Sequence, residues 1–118
     1  MTWRILFESD GETLADEAEW ARSFGRRLRG LIGHPKLRPG QALIIEPGPQ
    51  VHTFGMRYPI DVVFCTRSWR VVGVAHLQPW RVSRFVRGAR YAIELPAGSA
   101  SSRLEGGTLR VLENDSAQ

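Results

Sequence analysis

Cysteine and lysine are almost missing from this sequence. The one cysteine, Cys65, has no second thiol for an intramolecular disulfide, so nothing points to an oxidising compartment. Lysine occurs only at Lys36, although lysine and arginine together number 16, so arginine supplies nearly all of the positive charge. A net charge of +4 is modest beside that of dedicated nucleic-acid-binding proteins, and solvated surface is the simplest interpretation of these arginines.

Long apolar runs are also missing. Residues 1–8 contain no apolar run of the ~7 to 15 residues that a signal peptide needs, and no stretch approaches the ~20 residues of a membrane span. We therefore expect a soluble, cytoplasmic protein without a membrane partner. A chain of this size buries roughly two thirds of its unfolded surface, enough for one core. We expect a single domain over residues 1–113 and a frayed tail over residues 114–118.

Strand patterns dominate what the sequence does contain. Short apolar runs bounded by glycine and proline predict strands over residues 2–7, 13–21, 42–45, 60–66, 71–77, 91–95 and 107–112. Asp10-Gly11 is a hairpin signal between the first two. Thr13 with Asp16 also resembles a helix capping box, but the turn before them favours a strand.

The strongest strand pattern covers residues 60–66. Alternation there predicts one face with Val62 and Phe64 and an opposite face with Asp61, Val63 and Cys65. A cysteine on so apolar a strand is expected to be a buried, inert thiol. Cys65 as a nucleophile with His52 as its base is therefore a weak hypothesis.

One segment has the period of a helix. Its apolar residues recur at spacings of four, three and one, and Gly33 follows as a stop signal. These residues are Phe24, Leu28, Leu31 and Ile32. The pattern predicts an amphipathic helix over residues 23–32, and the fold class that follows is α+β.

Three motifs together resemble a known family. RLRGLIG at residues 27–33, VHTFGMRYPIDVVF at residues 51–64 and ELPAG at residues 94–98 are similar, in this order, to the family named domain of unknown function 192. Many members carry a Trp before the Met and an Asn-Thr pair before the Pro, which the shorter HTFGM form here lacks. The resemblance implies a compact α+β domain, with a curved, mostly antiparallel, half-barrel-like sheet and one main helix packed on it. It implies no established activity.

The motif positions lie at predicted turns and strand starts, which suggests a shared polar crevice. We place a small polar or anionic ligand there, bound without catalysis, among Arg29, His52, Met56, Arg57, Asp61, Glu94, Pro96 and Gly98. No GxSxG, P-loop or dinucleotide fingerprint is present, so binding is favoured over catalysis and enzymatic activity stays undecided. No CxxC, HxH or HExxH spacing predicts a metal, and no cofactor is expected.

Asp61 has a functional and a structural interpretation. As a functional group it would act as a base, hold a cation or orient His52. As a structural group it would cap a turn or pair with Arg29 or Arg57, and this is favoured because a carboxylate beside a buried strand must be satisfied in any case. A hydrolase that uses Asp61 and Glu94 is a weaker alternative, since it requires the two carboxylates to converge.

Residues 80–91, WRVSRFVRGARY, place arginines every three residues among aromatic rings. Such interleaving can follow phosphates while stacking bases. The alternative function is therefore an RNA- or protein-binding surface formed by Trp80, Arg81, Arg84, Arg87, Arg90 and Tyr91. The simpler interpretation, which we favour, is a solvated loop whose aromatic residues anchor it in the core.

Overall fold

The computed structural model describes residues 1–21 and 31–115. Seven strands form in chain order: β1 (Trp3–Phe7), β2 (Thr13–Ala21), β3 (Gln41–Ile45), β4 (Ile60–Cys65), β5 (Val71–Leu77), β6 (Tyr91–Pro96) and β7 (Leu109–Glu113). A 3₁₀ helix, Ser102–Leu104, lies between β6 and β7. Each strand coincides closely with a predicted one, so the strand assignments from the sequence are confirmed.

The predicted α+β class is wrong, because the described residues are nearly all β. The predicted helix over residues 23–32 falls mainly on residues 22–30, which lie outside the described part of the chain. Of its four apolar residues only Leu31 and Ile32 are described; both lie in a turn, where Leu31 is buried and Ile32 half-buried. Within residues 1–21 and 31–115, no helix is long and apolar enough to cross a membrane.

The seven strands form a single sheet in the order β5-β4-β6-β3-β2-β1-β7. β2 and β3 pair in parallel, and every other neighbouring pair is antiparallel. The two ends of the sheet approach each other, since the Val71 amide donates to the Gly107 carbonyl at 2.8 Å and the Leu109 amide to the Trp69 carbonyl at 2.9 Å. The sheet therefore curls into a half-barrel, as the curved antiparallel prediction requires.

Both faces of this sheet are covered. One apolar cluster draws residues from all seven strands, as the concave side of a curled sheet must, and we call it the inner core. The outer core lies on the opposite face, where residues 31–37 and 51–58 cover β3, β4 and β6. β4 alternates between the two as predicted, with Val63 in the inner core and Val62 in the outer core.

Candidate functional site

Among the described residues, those of the predicted crevice do not lie together in one site. Its described residues occupy several environments: His52 on an exposed loop, Met56 and Arg57 beside an outer-core pocket, Asp61 with Gly98 at the start of β4, and Glu94 and Pro96 within β6. Arg29 lies outside the described residues.

Asp61 is buried and its carboxylate is fully hydrogen-bonded. The His76 ring nitrogen Nδ1 lies 2.7 Å from Asp61 Oδ1. Asp61 Oδ2 accepts hydrogen bonds from the backbone amides of Gly98, at 2.9 Å, and Ala100, at 3.0 Å. Gly98 adopts φ +90°, a conformation that favours glycine, and so turns the chain back toward the carboxylate. Among the described groups, Asp61 thus joins β4 to β5 and to the turn after β6, and its partner is His76 rather than Arg57 or His52.

Glu94 projects from the opposite face of the sheet. It lies opposite Val62 on β4 and Leu43 on β3, both in the outer core, whereas Asp61 lies opposite Leu95 of the inner core. The two carboxylates therefore do not converge. The hydrolase hypothesis has lost the geometry that it requires.

Glu94 also lacks the hydrogen bonds that Asp61 has. It is 3% exposed, and its Oε1 has no hydrogen-bond partner among the described residues. Burial in this apolar surrounding raises the pKa of Glu94 to about 8, because desolvation disfavours the charged form. Glu94 is therefore predominantly protonated near neutral pH.

A pocket of about 610 Å³ lies on the outer-core side, between residues 31–36 and 55–58. Leu31 and Met56 contribute buried apolar surface to it. The Tyr58 hydroxyl lies 3.2 Å from the His34 carbonyl and 3.3 Å from that of Pro35 and donates to them, which ties the two segments together.

The pocket has a cationic rim. Lys36 and Arg57 are exposed and His34 is half-buried, while no Asp or Glu is among the described residues that line it. Glu94 lies close enough to affect the pocket electrostatically, because the pKa of Tyr58 is raised first by burial and second by the charge of Glu94. Of the predicted crevice residues, Met56 and Arg57 line this pocket.

His52 belongs to a different surface, formed by two loops that the sequence did not connect. Buried Thr53 joins them: its amide donates to the Arg81 carbonyl at 2.7 Å, its carbonyl accepts from the Trp80 amide at 3.0 Å, and its hydroxyl donates to the Gln78 carbonyl at 2.6 Å. His52 also forms an isolated bridge with Val82. The HTFGM motif and the arginine-rich stretch are therefore neighbours.

Aromatic rings protrude where these loops meet. The rings of His52 and Phe54 stack at 5.1 Å and 28°, and those of Phe54 and Trp80 lie 6.2 Å apart at 33°. The exposed fractions are 47% for Phe54, 63% for Trp80, 55% for Val82 and 65% for Phe85. We define the aromatic–arginine surface as His52, Phe54, Trp80, Arg81, Val82, Arg84, Phe85 and Arg87. The sequence does not predict a role for Phe54, because a single aromatic residue beside a glycine carries no periodic signal.

The predicted nucleic-acid residues divide into two groups. Trp80, Arg81, Arg84 and Arg87 are exposed on this surface. Arg90 instead forms an ion pair with Glu46, with its Nε and one terminal nitrogen both 2.9 Å from Glu46 Oε2. Tyr91 stacks on Trp69 with ring centroids 3.9 Å apart. The interpretation of the whole stretch as a core-anchored loop thus holds at its C-terminal end only.

The hypothesis that Cys65 is a nucleophile lacks the geometry that it requires. Cys65 is fully buried in the inner core, burial raises its pKa to about 12, and His52 lies on an exposed loop, so the two form no nucleophile–base pair. In the part of the chain that the structure describes, no group of three or more His, Cys, Asp or Glu side chains is placed to hold a metal ion.

Sequence comparison identifies a family. The family model for domain of unknown function 192 (DUF192), described as "Uncharacterized ACR", matches residues 5–109. A UPF0127 protein of Pyrococcus horikoshii is 36% identical over 104 residues, covering 83% of this chain and 88% of that protein. A UPF0127 protein of Thermococcus sibiricus is 30% identical over 98 residues, covering 80% of this chain and 64% of that protein. The chain thus spans less than two thirds of the latter relative's length.

Two crystal structures share the fold. A Sinorhizobium meliloti 1021 protein, described as a candidate transcription regulator, superposes with a TM-score of 0.74 at 21% identity, covering 92% of this chain and 91% of that one. A Novosphingobium aromaticivorans protein of unknown function superposes with a TM-score of 0.75 at 19% identity, covering 92% and 82%. At these identities the likeness concerns the fold alone.

Proposed function

Because the chain belongs to the DUF192 family, whose model describes it only as uncharacterised, we propose from its pocket geometry that it is a binding module for a small organic anion. The supporting observation is the cationic rim of the pocket between residues 31–36 and 55–58. Lys36 and Arg57 flank a cavity whose described lining contains no acidic residue.

The pocket suits a ligand with an anionic head and an apolar body. Its volume of about 610 Å³ falls within the usual range of small-molecule sites. Arg57 presents a planar guanidinium that can hold a carboxylate or phosphate with two hydrogen bonds, and Lys36 adds a point charge. Leu31, Ile32 and Met56 supply apolar surface for the rest of the ligand.

Among the described residues, Glu94 is the buried acid that affects this pocket, and it does not oppose an anion near neutral pH. An ionised carboxylate behind the pocket would repel the ligand, but the pKa of about 8 keeps Glu94 mostly neutral at lower pH. Because desolvation keeps Glu94 mostly neutral and the rim is positively charged, both features favour an anionic ligand.

The experiment compares three ligands that have hydrocarbon chains of the same length but different head groups: octanoate is an anion, octanol is neutral and octylammonium is a cation. We expect octanoate to bind more tightly than octanol by roughly fivefold, the effect of about 1 kcal/mol from an exposed charge pair, and octylammonium to bind most weakly. Isothermal titration gives the affinities. Amide chemical shifts in an NMR titration locate the site, with the largest shifts expected at Lys36, Arg57 and Tyr58.

One variant tests recognition of the charged head group, and a second variant is its control. Arg57→Gln should bring octanoate affinity most of the way to that of octanol, because only the Lys36 charge remains at the rim, and should leave octanol binding unchanged. Arg67→Gln is the matched control, because Arg67 is exposed in the turn between β4 and β5 and does not line the pocket. Equal affinities for all three ligands, or shifts confined to other regions, would contradict the proposal.

A further inference from the structure

We infer that the aromatic–arginine surface is a binding site for single-stranded nucleic acid, a site separate from the anion pocket. Trp80, Arg81 and Phe54, which carry it, do not line that pocket. The inference therefore stands or falls independently of the proposed function.

The rings of His52, Phe54 and Trp80 form one contiguous patch, held in place by the backbone. Isolated exposed apolar residues are ordinary, whereas a contiguous patch on a soluble domain marks an interaction site. Trp80 has φ +64°, a left-handed conformation that a bulky residue rarely adopts. The hydrogen bonds of Thr53 to residues 78, 80 and 81 hold this conformation and keep the indole exposed.

Trp69 provides an internal contrast to Trp80. It has a similar backbone conformation, with φ +69°, but its ring stacks on Tyr91 and packs against the inner core. Its unusual turn therefore has a packing explanation. The indole of Trp80 instead contacts Phe54 at the rim and is 63% exposed. Backbone strain that packing does not explain is found mostly at functional sites.

The charge of the surface selects a polyanion. Residues 47–59 and 78–89 contain no Asp or Glu, and three of their arginines belong to this surface. Arg81, Arg84 and Arg87 are exposed and form no ion pair within residues 1–21 and 31–115. Since Arg81 follows Trp80 in the chain and Arg84 precedes Phe85, a ligand that alternates flat bases with phosphates matches this order better than an acidic protein surface does.

A single strand fits this surface better than a duplex. The rings of His52, Phe54 and Trp80 lie within 28° and 33° of parallel in successive pairs, so they offer flat faces to unpaired bases. Bases of a duplex are already stacked and would have to be separated. The described residues also include no α-helix that could enter a major groove.

The test measures fluorescence anisotropy of a labelled oligouridine of about 12 nucleotides, a length within known single-strand site sizes. Phe54→Ala and Trp80→Ala should each weaken binding by roughly 5- to 50-fold without changing the salt dependence, because each removes a stacking face. Arg81→Gln with Arg87→Gln should weaken binding and lower the salt slope by about 1.4, which corresponds to two released counterions.

A second arginine pair provides the control for net charge. Arg67→Gln with Arg110→Gln removes the same two charges from exposed positions outside the surface, and it should lower affinity far less. Circular dichroism and thermal unfolding establish that each variant is folded. Phe85→Ala removes another exposed ring, at a residue without the positive φ of Trp80, and should also weaken binding.

Three results would overturn the inference. The first is no binding of the oligouridine at low salt. The second is equal loss from both arginine pairs, which would indicate unspecific attraction. The third is a combination of two observations: heparin, a polyanion without bases, competes as well as the oligonucleotide, and the ring variants bind the oligouridine normally. That result would favour an acidic protein or a polysaccharide as the partner.

Discussion

Asp61 and Glu94 lie on paired strands and are almost equally buried, at 2% and 3% exposure, yet their surroundings differ. Asp61 faces the inner core and receives hydrogen bonds from two backbone amides and His76. Glu94 faces the outer core and has an oxygen without a partner among the described residues. Burial alone thus does not assign a role to a carboxylate. The hydrogen-bond donors around a buried carboxyl group decide whether it joins neighbouring segments, as Asp61 does, or persists as a neutral acid, as Glu94 does.

The largest expected effect is the loss of the Asp61 carboxylate. In Asp61→Asn the remaining oxygen can still accept from the Gly98 and Ala100 amides, but an NH₂ group replaces the oxygen beside His76 Nδ1, and an amide oxygen accepts more weakly than a carboxylate oxygen. We expect the free energy of unfolding to fall by about 3 kcal/mol, since all three hydrogen bonds of a buried group are weakened or lost. Urea unfolding with an unchanged m-value measures it. A loss below about 0.5 kcal/mol, the scale of an ordinary surface substitution, would mean that Asp61 does not hold the turn after β6.

The contrast between these carboxylates was only partly visible in the sequence. Alternation along β4 correctly placed Asp61 with Val63 and apart from Val62. The register that pairs Asp61 with His76 was not predicted, although β4 and β5 are consecutive strands. The face of Glu94 relative to Asp61 depends on the pairing of β4 with β6, which are 25 or more residues apart along the chain. Local patterns do not specify such pairing.

The aromatic–arginine surface was even harder to predict from the sequence. Its loops are irregular, so no helical or strand period links Phe54 to Trp80. Their contact depends on the hydrogen bonds of one buried residue, Thr53, to a loop 25 to 28 residues away in sequence. Composition indicated the arginines, but only tertiary structure distinguishes exposed Arg87 from ion-paired Arg90.

The pH dependence of stability is the second prediction. Folded Glu94 retains its proton to about pH 8, whereas its ordinary pKa is 4.5. Between these values the folded state binds more protons than the unfolded state, so the free energy of unfolding falls as pH rises. We expect Glu94 to contribute a loss of about 2 kcal/mol from pH 5 to pH 7, measured by urea unfolding across that range.

Substitution of Glu94 tests the contrast between Asp61 and Glu94 at the carboxyl group that lacks hydrogen-bond donors. Glu94→Gln keeps the shape of the neutral acid and cannot ionise. We expect it to be more stable than the natural chain by about 1 to 2 kcal/mol near neutral pH, and to lack the loss attributed to Glu94 between pH 5 and pH 7. Destabilisation by Glu94→Gln at neutral pH would show that ionised Glu94 has a stabilising partner. Because the fold is retained, the same variant also reports whether Glu94 ionisation weakens octanoate binding above pH 8.

The smallest expected effect concerns His76, which meets Asp61 from the exposed side. His76→Ala removes one donor and leaves both backbone amides on Asp61 Oδ2, and water can replace the imidazole at this exposed position. We expect a loss of about 1 kcal/mol in the free energy of unfolding, well below that of Asp61→Asn. A loss equal to that of Asp61→Asn would show that His76, rather than the turn after β6, is the principal partner of the carboxylate. A double-mutant cycle of the two substitutions isolates their coupling energy, which should be smaller than the remaining effect of Asp61→Asn in the His76→Ala background.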